Sequence, residues 1–229
     1  MTLLDGHVYT SPDGVRGFDA DHTISPQAAA AFHAYGYRFC LRYVGRLKSN
    51  KKDLTRSEAT GLLAAGLGLM PVQHVASEKA WTPTPDKGAS YGAFAAAEVA
   101  RIGIPPGVTV WCDLEGVAPG TDPADVIEYC NRWHAAVAGA GFVPGLYVGW
   151  QAGLDATQLY QDLRFTHYWG AYNLNADEAP AKRGVQMRQA ERKKKDTVPG
   201  FNFLFQTDRV QGDALGGRPT LLARDGWLD

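Results

Sequence analysis

The sequence predicts an α/β fold, a (β/α)8 TIM-type barrel in which parallel strands alternate with helices. Two observations support this. Strand-like and helix-like segments alternate along 229 residues. A glycine-rich phosphate loop after the first strand would favour an open doubly wound sheet, and the sequence has no such loop there. The connection between the last two strands lacks a clear helix, so irregularity is expected there. We predict one domain, 1–229, with an N-terminal extension (1–14) and a C-terminal tail (209–229) packed on the barrel.

The first half of the chain predicts three strand and helix pairs. Strand 15–20 is followed by Ser25-Pro26, a cap and a first-turn proline that open an alanine-rich helix. Strand 37–43 precedes a helix capped by Thr55, with Glu58 three residues later as a capping box. Strand 69–75 precedes a helix over 88–102, which ends where Gly103 and two prolines forbid its continuation.

The second half of the chain predicts five further strands. A buried strand over 108–116 leads into a long helix over 122–140 with an apolar stripe at helical spacing. Strands follow at 142–148, 167–172, 185–189 and 201–206, with a short helix over 155–163, and the tail has a helix-like stretch over 221–227. The count of eight strands is that of a closed barrel.

The strand over 108–116 ends in two acids, Asp113 and Glu115. Residues two apart on a strand point to the same side with Cα atoms roughly 6.5 Å apart, so both acids face one space. At about 6 Å and an effective dielectric near 20, two carboxylates repel by roughly 3 kcal/mol, enough to keep one protonated near neutrality. A protonated acid beside an ionised one is the arrangement that a glycosidase needs.

Polar and aromatic residues at the other strand ends complete the candidate site. The C-terminal ends of parallel barrel strands meet at one mouth, so these side chains are expected to converge on one open cleft. We predict that Glu115 is the general acid, that Asp113 holds a charge or orients a substrate group, and that Asp19 lies in the same cleft. The predicted substrate-binding residues are Arg42 (with Tyr43 as the alternative at that strand end), His74 (with Gln73 as the alternative), Tyr147, Trp169, Tyr172, Asn173, Gln189, Gln206 and Asp208.

Composition limits the other classes of partner. A formal net charge of −1 and a pI near 6.6 give no general attraction to nucleic acid or anionic membranes, so neither partner is predicted, and a monomer is expected. The six histidines and three cysteines show no metal-ligand spacing, so no metal or other cofactor is predicted. No signal peptide is recognised at the N-terminus, so synthesis in the cytoplasm is expected, with action at the cell envelope after non-classical export or lysis.

A set of segments carries a family resemblance. They are Gly17-Phe18-Asp19, Leu54-Thr55, residues 68–72 and 102–105, Asp113-Leu114-Glu115, and residues 141–147 and 169–173. Together they resemble the glycoside hydrolase-like domain of unknown function 1906 over roughly residues 15–208, a family similar to the family 25 lysozymes that cut peptidoglycan. The resemblance implies that Asp19, Asp113 and Glu115 match the lysozyme acids, with Glu115 the acid catalyst, and that the substrate is a polysaccharide such as peptidoglycan. The family usually has further acids on its eighth strand, and the predicted strand 201–206 has none before Asp208.

Three functions stay open at this point. A peptidoglycan-directed, muramidase-type hydrolase ranks first, a barrel that binds glycan without cutting it second, and a metal-dependent phosphodiesterase that uses Asp19, Asp113 and Glu115 as oxygen ligands third. The spacing does not choose between retention and inversion. A basic run, residues 192–195, is read as a solvated loop.

Overall fold

The computed structural model describes residues 2–77, 80–190 and 197–229. Eight of its strands, β2 to β9, form a closed barrel: β2 pairs in parallel with β3, the parallel pairing continues to β8, and β9 closes the ring by pairing antiparallel with both β8 and β2. The predicted barrel is therefore confirmed. The barrel strands are Arg16–Ala20, Phe39–Val44, Gly68–Gln73, Thr109–Leu114, Val143–Val148, His167–Gly170, Met187–Gln189 and Gln206–Val210.

Five helices, α1 to α5, cover the connections from β2 to β7. Each begins after a residue whose side-chain oxygen accepts a backbone N–H of the first turn, as expected for Ser, Thr and Asp at this position. The described parts of the connections after β7 and after β8 hold no helix, which is the irregularity expected at this side. The helices are Pro26–Ala34, Arg56–Ala64, Pro85–Ile102, Pro123–Gly139 and Ala156–Gln161.

The interior of the barrel is packed with aromatic rings below the mouth. Trp111 of β5 is completely buried, and its ring lies 6.0 Å from that of Trp169 on β7. A Cβ atom at Gly145 would lie 2.4 Å from Trp111, so a glycine on β6 is what allows the indole to cross that strand. The cleft at the mouth therefore has a solid floor.

The predicted last barrel strand was wrong in position and direction. Residues 201–205 are not a barrel strand; Phe201 and Phe205 pack instead on Phe32 of α1, at ring distances of 5.5 and 5.0 Å. The strand is Gln206–Val210, and it runs antiparallel to its neighbours. It therefore contains Asp208, so the eighth barrel strand does carry an acid. The basic run 192–195 lies outside the described residues.

Two strands lie outside the barrel. β1, His7–Thr10, pairs antiparallel with β10, Thr220–Ala223, which also contacts β4 through Leu222 and Leu69. The helix predicted over 221–227 was therefore wrong: Leu221, Leu222 and Ala223 are consecutive buried strand residues paired with β1, and a turn follows them. Among the described residues, no helix has the length and apolar character needed to cross a bilayer.

Candidate active site

The mouth of the barrel holds a cleft formed by two connected cavities. One, of about 360 Å³, is lined by Asp19, Asp21 and His74, and the other, of about 320 Å³, by Tyr147 and Gln189. Both cavities are bounded by the same four residues, so they are one cleft rather than two. The shared residues are Tyr43, Asp113, Glu115 and Gln206.

Glu115 is held where β5 leaves the barrel. Its backbone carbonyl accepts a hydrogen bond from the Trp81 indole at 2.6 Å, and the next residue, Gly116, donates its N–H to the Trp150 carbonyl at 2.7 Å. A Cβ atom at Gly149 would lie 2.6 Å from Glu115 Oε2 and 2.8 Å from Tyr147 Cε1. The absence of a side chain at Gly149 is therefore what allows the Glu115 carboxyl group to lie beside the Tyr147 ring.

Asp113 lies deeper, at the end of β5. It is directly paired in register with Tyr147 of β6, and only 6% of its surface is exposed. The Tyr147 hydroxyl donates to Gln189 Oε1 at 2.9 Å, and Gln189 Nε2 donates to Asp19 Oδ2 at 3.0 Å and to Gln206 Oε1 at 2.7 Å. One hydrogen-bonded chain thus crosses the cleft floor from β6 to β2.

Asp19, on the cleft wall, and Asp208, buried beneath the floor, form a second carboxyl pair. Burial, followed by the charge of Asp19, raises the pKa of Asp208 well above its usual range, which favours the neutral form of Asp208. Asp208 Oδ1 also accepts the Trp169 indole N–H at 2.9 Å. Burial raises the pKa of Asp19 to about 6, against the lowering effect of hydrogen bonds from Gln189, Asp208 and Tyr43.

Two tyrosines face these acids. Burial, followed by the charges of Asp19 and Asp113, raises the pKa of Tyr43 well above 10, and burial with Asp113 and Glu115 raises that of Tyr147. Both phenols therefore stay protonated at neutral pH and act as hydrogen-bond donors. The cleft combines several carboxyl groups with two neutral hydrogen-bond donors. Carboxyl groups can transfer protons, and carboxylates can stabilise positive charge on a substrate.

The structure brings most of the predicted site residues to the cleft. Asp19, His74, Asp113, Glu115, Tyr147, Tyr172, Asn173, Gln189 and Gln206 line it. Trp169 and Asp208 do not line it, because both are buried beneath its floor with 1% and 0% of their surface exposed.

The prediction that Arg42 binds substrate in the cleft was wrong. Its side chain is completely buried on the outer side of β3, where Nε pairs with Glu58 Oε1 of α2 at 2.7 Å and Nη2 donates to the Lys52 carbonyl at 2.7 Å. Because neighbouring residues on a strand face opposite sides, Tyr43 points into the barrel mouth and Arg42 points away. Arg42 fastens α2 to the barrel.

Several residues of the cleft wall were not predicted as site residues, among them Trp150 and Leu204. Tyr43, the alternative to Arg42, follows from strand alternation once the register of β3 is known. Trp150, 56% exposed, and Leu204, 62% exposed, lie on loops after β6 and before β9, where no periodic pattern indicates the direction of a side chain. Within the described ranges, no three His, Cys, Asp or Glu side chains are arranged to hold a metal ion.

Comparison with known sequences gives one family. A family model described as an Rv2525c-like, glycoside hydrolase-like domain matches residues 30–204, a range that includes Asp113 and Glu115. Asp19 and Asp208 lie outside the matched range. No curated protein matches the chain significantly.

Solved structures with the same fold include lysozymes. The Tat-secreted protein Rv2525c of Mycobacterium tuberculosis, in complex with L-tartrate, has a TM-score of 0.66 at 16% identity, over 87% of this chain and 96% of that one. The bacterial lysozyme from Streptomyces coelicolor has a TM-score of 0.58 at 17% identity, over 90% and 95%. The muramidase from Trichobolus zukalii has a TM-score of 0.52 at 16% identity, over 86% and 94%. At these identities the likeness is one of fold.

Proposed function

This chain belongs to the Rv2525c-like family of glycoside hydrolase-like domains, and from that premise we propose that it is a muramidase-type glycosidase acting on peptidoglycan. The observation that carries the proposal is the grouping of Asp113 and Glu115 with Tyr147 in one open cleft. The fold shared with a lysozyme and a muramidase supports the choice of substrate. The secretion of Rv2525c supports action at the cell envelope.

Glu115 is the general acid in this proposal. Its side chain is partly exposed to the cleft and has the longer stem, so it reaches the glycosidic oxygen more easily than Asp113. The Glu115 carboxyl proton passes to that oxygen as the bond to the anomeric carbon breaks, and the bonding electrons leave with the oxygen. Gly149 keeps the carboxyl group beside Tyr147, within the cleft.

Asp113 stabilises the sugar whose anomeric carbon loses the glycosidic oxygen. Its carboxylate either faces the positive charge that develops on the ring or holds the N–H of the substrate N-acetyl group, so that the acetyl oxygen attacks the anomeric carbon and water later opens the adduct. Tyr147 and Tyr43 stay neutral at working pH and restrain the floor by hydrogen bonding. Asp19, hydrogen-bonded to Gln189, supports this floor from below.

Incubation with purified peptidoglycan tests the proposal. Released fragments are reduced with borohydride and analysed by mass spectrometry, which identifies the sugar at the new reducing end. We expect reduced N-acetylmuramic acid. Reduced N-acetylglucosamine would assign the opposite glycosidic bond, and fragments without a new reducing end would overturn the glycosidase proposal.

A glycan-binding barrel is the second candidate. Trp150 and Tyr172 line the cleft with 56% and 48% of their surface exposed, and exposed aromatic rings suit sugar faces whether or not a bond is cut. Equilibrium binding to insoluble peptidoglycan is therefore measured in parallel. Binding without release of fragments would favour this candidate.

A further inference from the structure

The carboxylate cleft is the middle of a longer groove. A cavity of about 610 Å³ adjoins it and shares His74 and Val75 with it. On the other side, a cavity of about 660 Å³ shares Trp150 and Asn173 with the cleft. The cavities therefore form one continuous groove along the mouth of the barrel, with the carboxylates in its middle.

The two ends of this groove differ in charge. Among the described residues that line the cavity beside His74, the charged side chains are Arg46 and Lys48. At the opposite end, the described lining carries Asp155, Asp177 and Glu178. A polymer lying in the groove thus meets cations at one end and carboxylates at the other, so an anionic substituent is favoured on the His74 side.

The cationic end is held in a fixed position. The Arg46 guanidinium donates to the Val75 carbonyl on the loop after β4. Asp53 joins the loop that carries these cations to the cleft wall, since one of its oxygens accepts the Asn50 N–H at 2.6 Å and the other bonds His74 Nε2 at 3.1 Å.

Further contacts connect His74 to the carboxylates of the cleft. The His74 ring stacks on Tyr43 with ring centres 4.6 Å apart, and Tyr43 hydrogen-bonds to Asp19. Direct contacts therefore link Arg46 and the loop that carries Lys48 to the acids of the cleft. Such preorganisation reduces the ordering penalty of binding.

We propose that the cavity formed by Arg46, Lys48, Asn50 and His74 is an anion subsite. It binds a carboxylate or phosphate substituent carried by the glycan whose backbone lies in the carboxylate cleft. This inference rests on the proposed glycan-directed function and adds the charge of the substrate and its direction along the groove. The guanidinium and ammonium groups supply charge-assisted hydrogen bonds, and the Asn50 amide supplies a neutral donor.

Binding of three soluble glycans tests the subsite. The probes are chitohexaose, which is neutral; glycan strands freed of peptide by an amidase, which carry lactyl carboxylates; and the same strands bearing muramic acid 6-phosphate. Affinities are measured by titration calorimetry in a Glu115→Gln background, so that no probe is cut. We expect the anionic strands to bind about tenfold more tightly than chitohexaose at low salt, with a difference that shrinks as salt rises.

Substitutions then locate the effect. Lys48→Gln and Arg46→Gln should each reduce the preference for anionic strands several-fold and leave the affinity for chitohexaose unchanged. Arg46→Lys keeps the charge and should retain most of the preference, which separates loss of charge from a disturbed loop. Arg209→Gln, at the opposite end of the barrel, is the matched control and should change nothing.

Each outcome decides a different point. A stronger preference for the phosphorylated strands supports the subsite with phosphate as ligand, and the reverse order supports it with carboxylate. An anionic preference that persists in the Lys48 and Arg46 variants overturns the subsite and leaves the proposed function intact. Failure of all three glycans to bind overturns both.

Discussion

The barrel mouth contains two pairs of carboxyl groups that differ in burial and in partners. Asp113 lies at the end of β5 and Glu115 directly follows the strand, where it is partly exposed to the cleft. Asp19 and Asp208 come from two strands that meet across the closure of the barrel, with 5% and 0% of their surface exposed. The first pair borders space that a substrate can occupy. In the second pair, Asp19 reaches the cleft wall and accepts a hydrogen bond from Gln189, whereas Asp208 is completely buried and accepts one from Trp169.

This difference shows how environment divides one residue type into separate roles. Burial and the charge of its neighbour Asp19 raise the pKa of Asp208, so its neutral form is favoured. In the proposed mechanism, Glu115 instead transfers its proton to substrate. We call Asp113 and Glu115 the upper pair, and Asp19 and Asp208 the lower pair. The upper pair is therefore expected to control the rate of glycan cleavage, and the lower pair to control the stability of the fold and its dependence on pH.

The largest effect is expected at Glu115. Glu115→Gln keeps the size of the side chain and removes the transferable proton, so the rate of reducing-end release should fall by about 10² or more, with peptidoglycan affinity within a few-fold of wild type. Asp113→Asn should also slow release, because the developing positive charge loses its carboxylate. The measurement is a rate assay on soluble glycan strands combined with equilibrium binding.

The control for this comparison is Glu128→Gln, a surface carboxylate of α4 paired with Arg132. It should leave the rate unchanged. If both cleft substitutions weaken binding and wild type releases no reducing ends, the upper pair consists of glycan acceptors, and its distinction from the lower pair as a rate-controlling pair is lost.

The second expectation concerns stability and pH. The pKa of Asp19 rises from 3.8 to about 6 on folding, and that of Asp208 also rises, so the folded state binds more protons than the unfolded chain in this range. The contribution of Asp19 is fully present below its unfolded pKa and is lost as the pH rises through about 6. For Asp19 alone, this corresponds to about 3 kcal/mol of unfolding free energy.

Urea unfolding between pH 4 and 8 measures this contribution as a difference between wild type and the double variant Asp19→Asn/Asp208→Asn. Burial lowers the pKa of His33, His134 and His167, and these groups change stability in the opposite direction. They are the same in both proteins, so the difference isolates the acids. A difference that does not vary with pH would show that the lower pair does not titrate as described.

Much of the barrel could be predicted because its parallel strands are buried on both faces and read as short apolar runs between helices. The closing strand β9 could not, since Gln206–Val210 is largely polar, and the aromatic residues before it alternate like a strand but pack on α1. The β1 and β10 ribbon was missed for a related reason. Its pairing joins residues from opposite ends of the chain, and no local pattern records that contact.

The site could be predicted where two residues lie two positions apart at the end of one strand, as Asp113 and Glu115 do. The prediction was wrong where a shift of one position decides whether a side chain faces the cleft or the helices. A shift of one residue exchanges the cleft side of β3 for the helix side, so Arg42 was predicted at the cleft where Tyr43 lies. The Asp208 position was predicted among the cleft residues, and only the register with Gly17 places it beneath the floor.

The third expectation tests how the upper pair is positioned. The Cβ atom of Gly149→Ala would lie 2.6 Å from Glu115 Oε2 and 2.7 Å from Glu115 Cβ, so the acid side chain must move. A displaced proton donor should lower kcat by about tenfold while KM changes little. Gly139→Ala is the matched control, because nothing lies within 4 Å of its added atom. Equal kinetics for the two variants would mean that Gly149 does not position Glu115.

The smallest effect is expected at Asp208, the most buried acid of the mouth. Asp208→Asn keeps an oxygen that accepts the Trp169 indole N–H and carries no charge. Because burial and the charge of Asp19 favour the neutral form of Asp208, the rate of reducing-end release should stay within about twofold of wild type. Asp208→Leu is the contrasting variant: it removes the acceptor of the Trp169 indole N–H and should lower the unfolding free energy by about 1–3 kcal/mol. If Asp208→Asn instead slows release as strongly as Glu115→Gln, then Asp208 takes part in proton transfer, and the division between the two pairs does not hold.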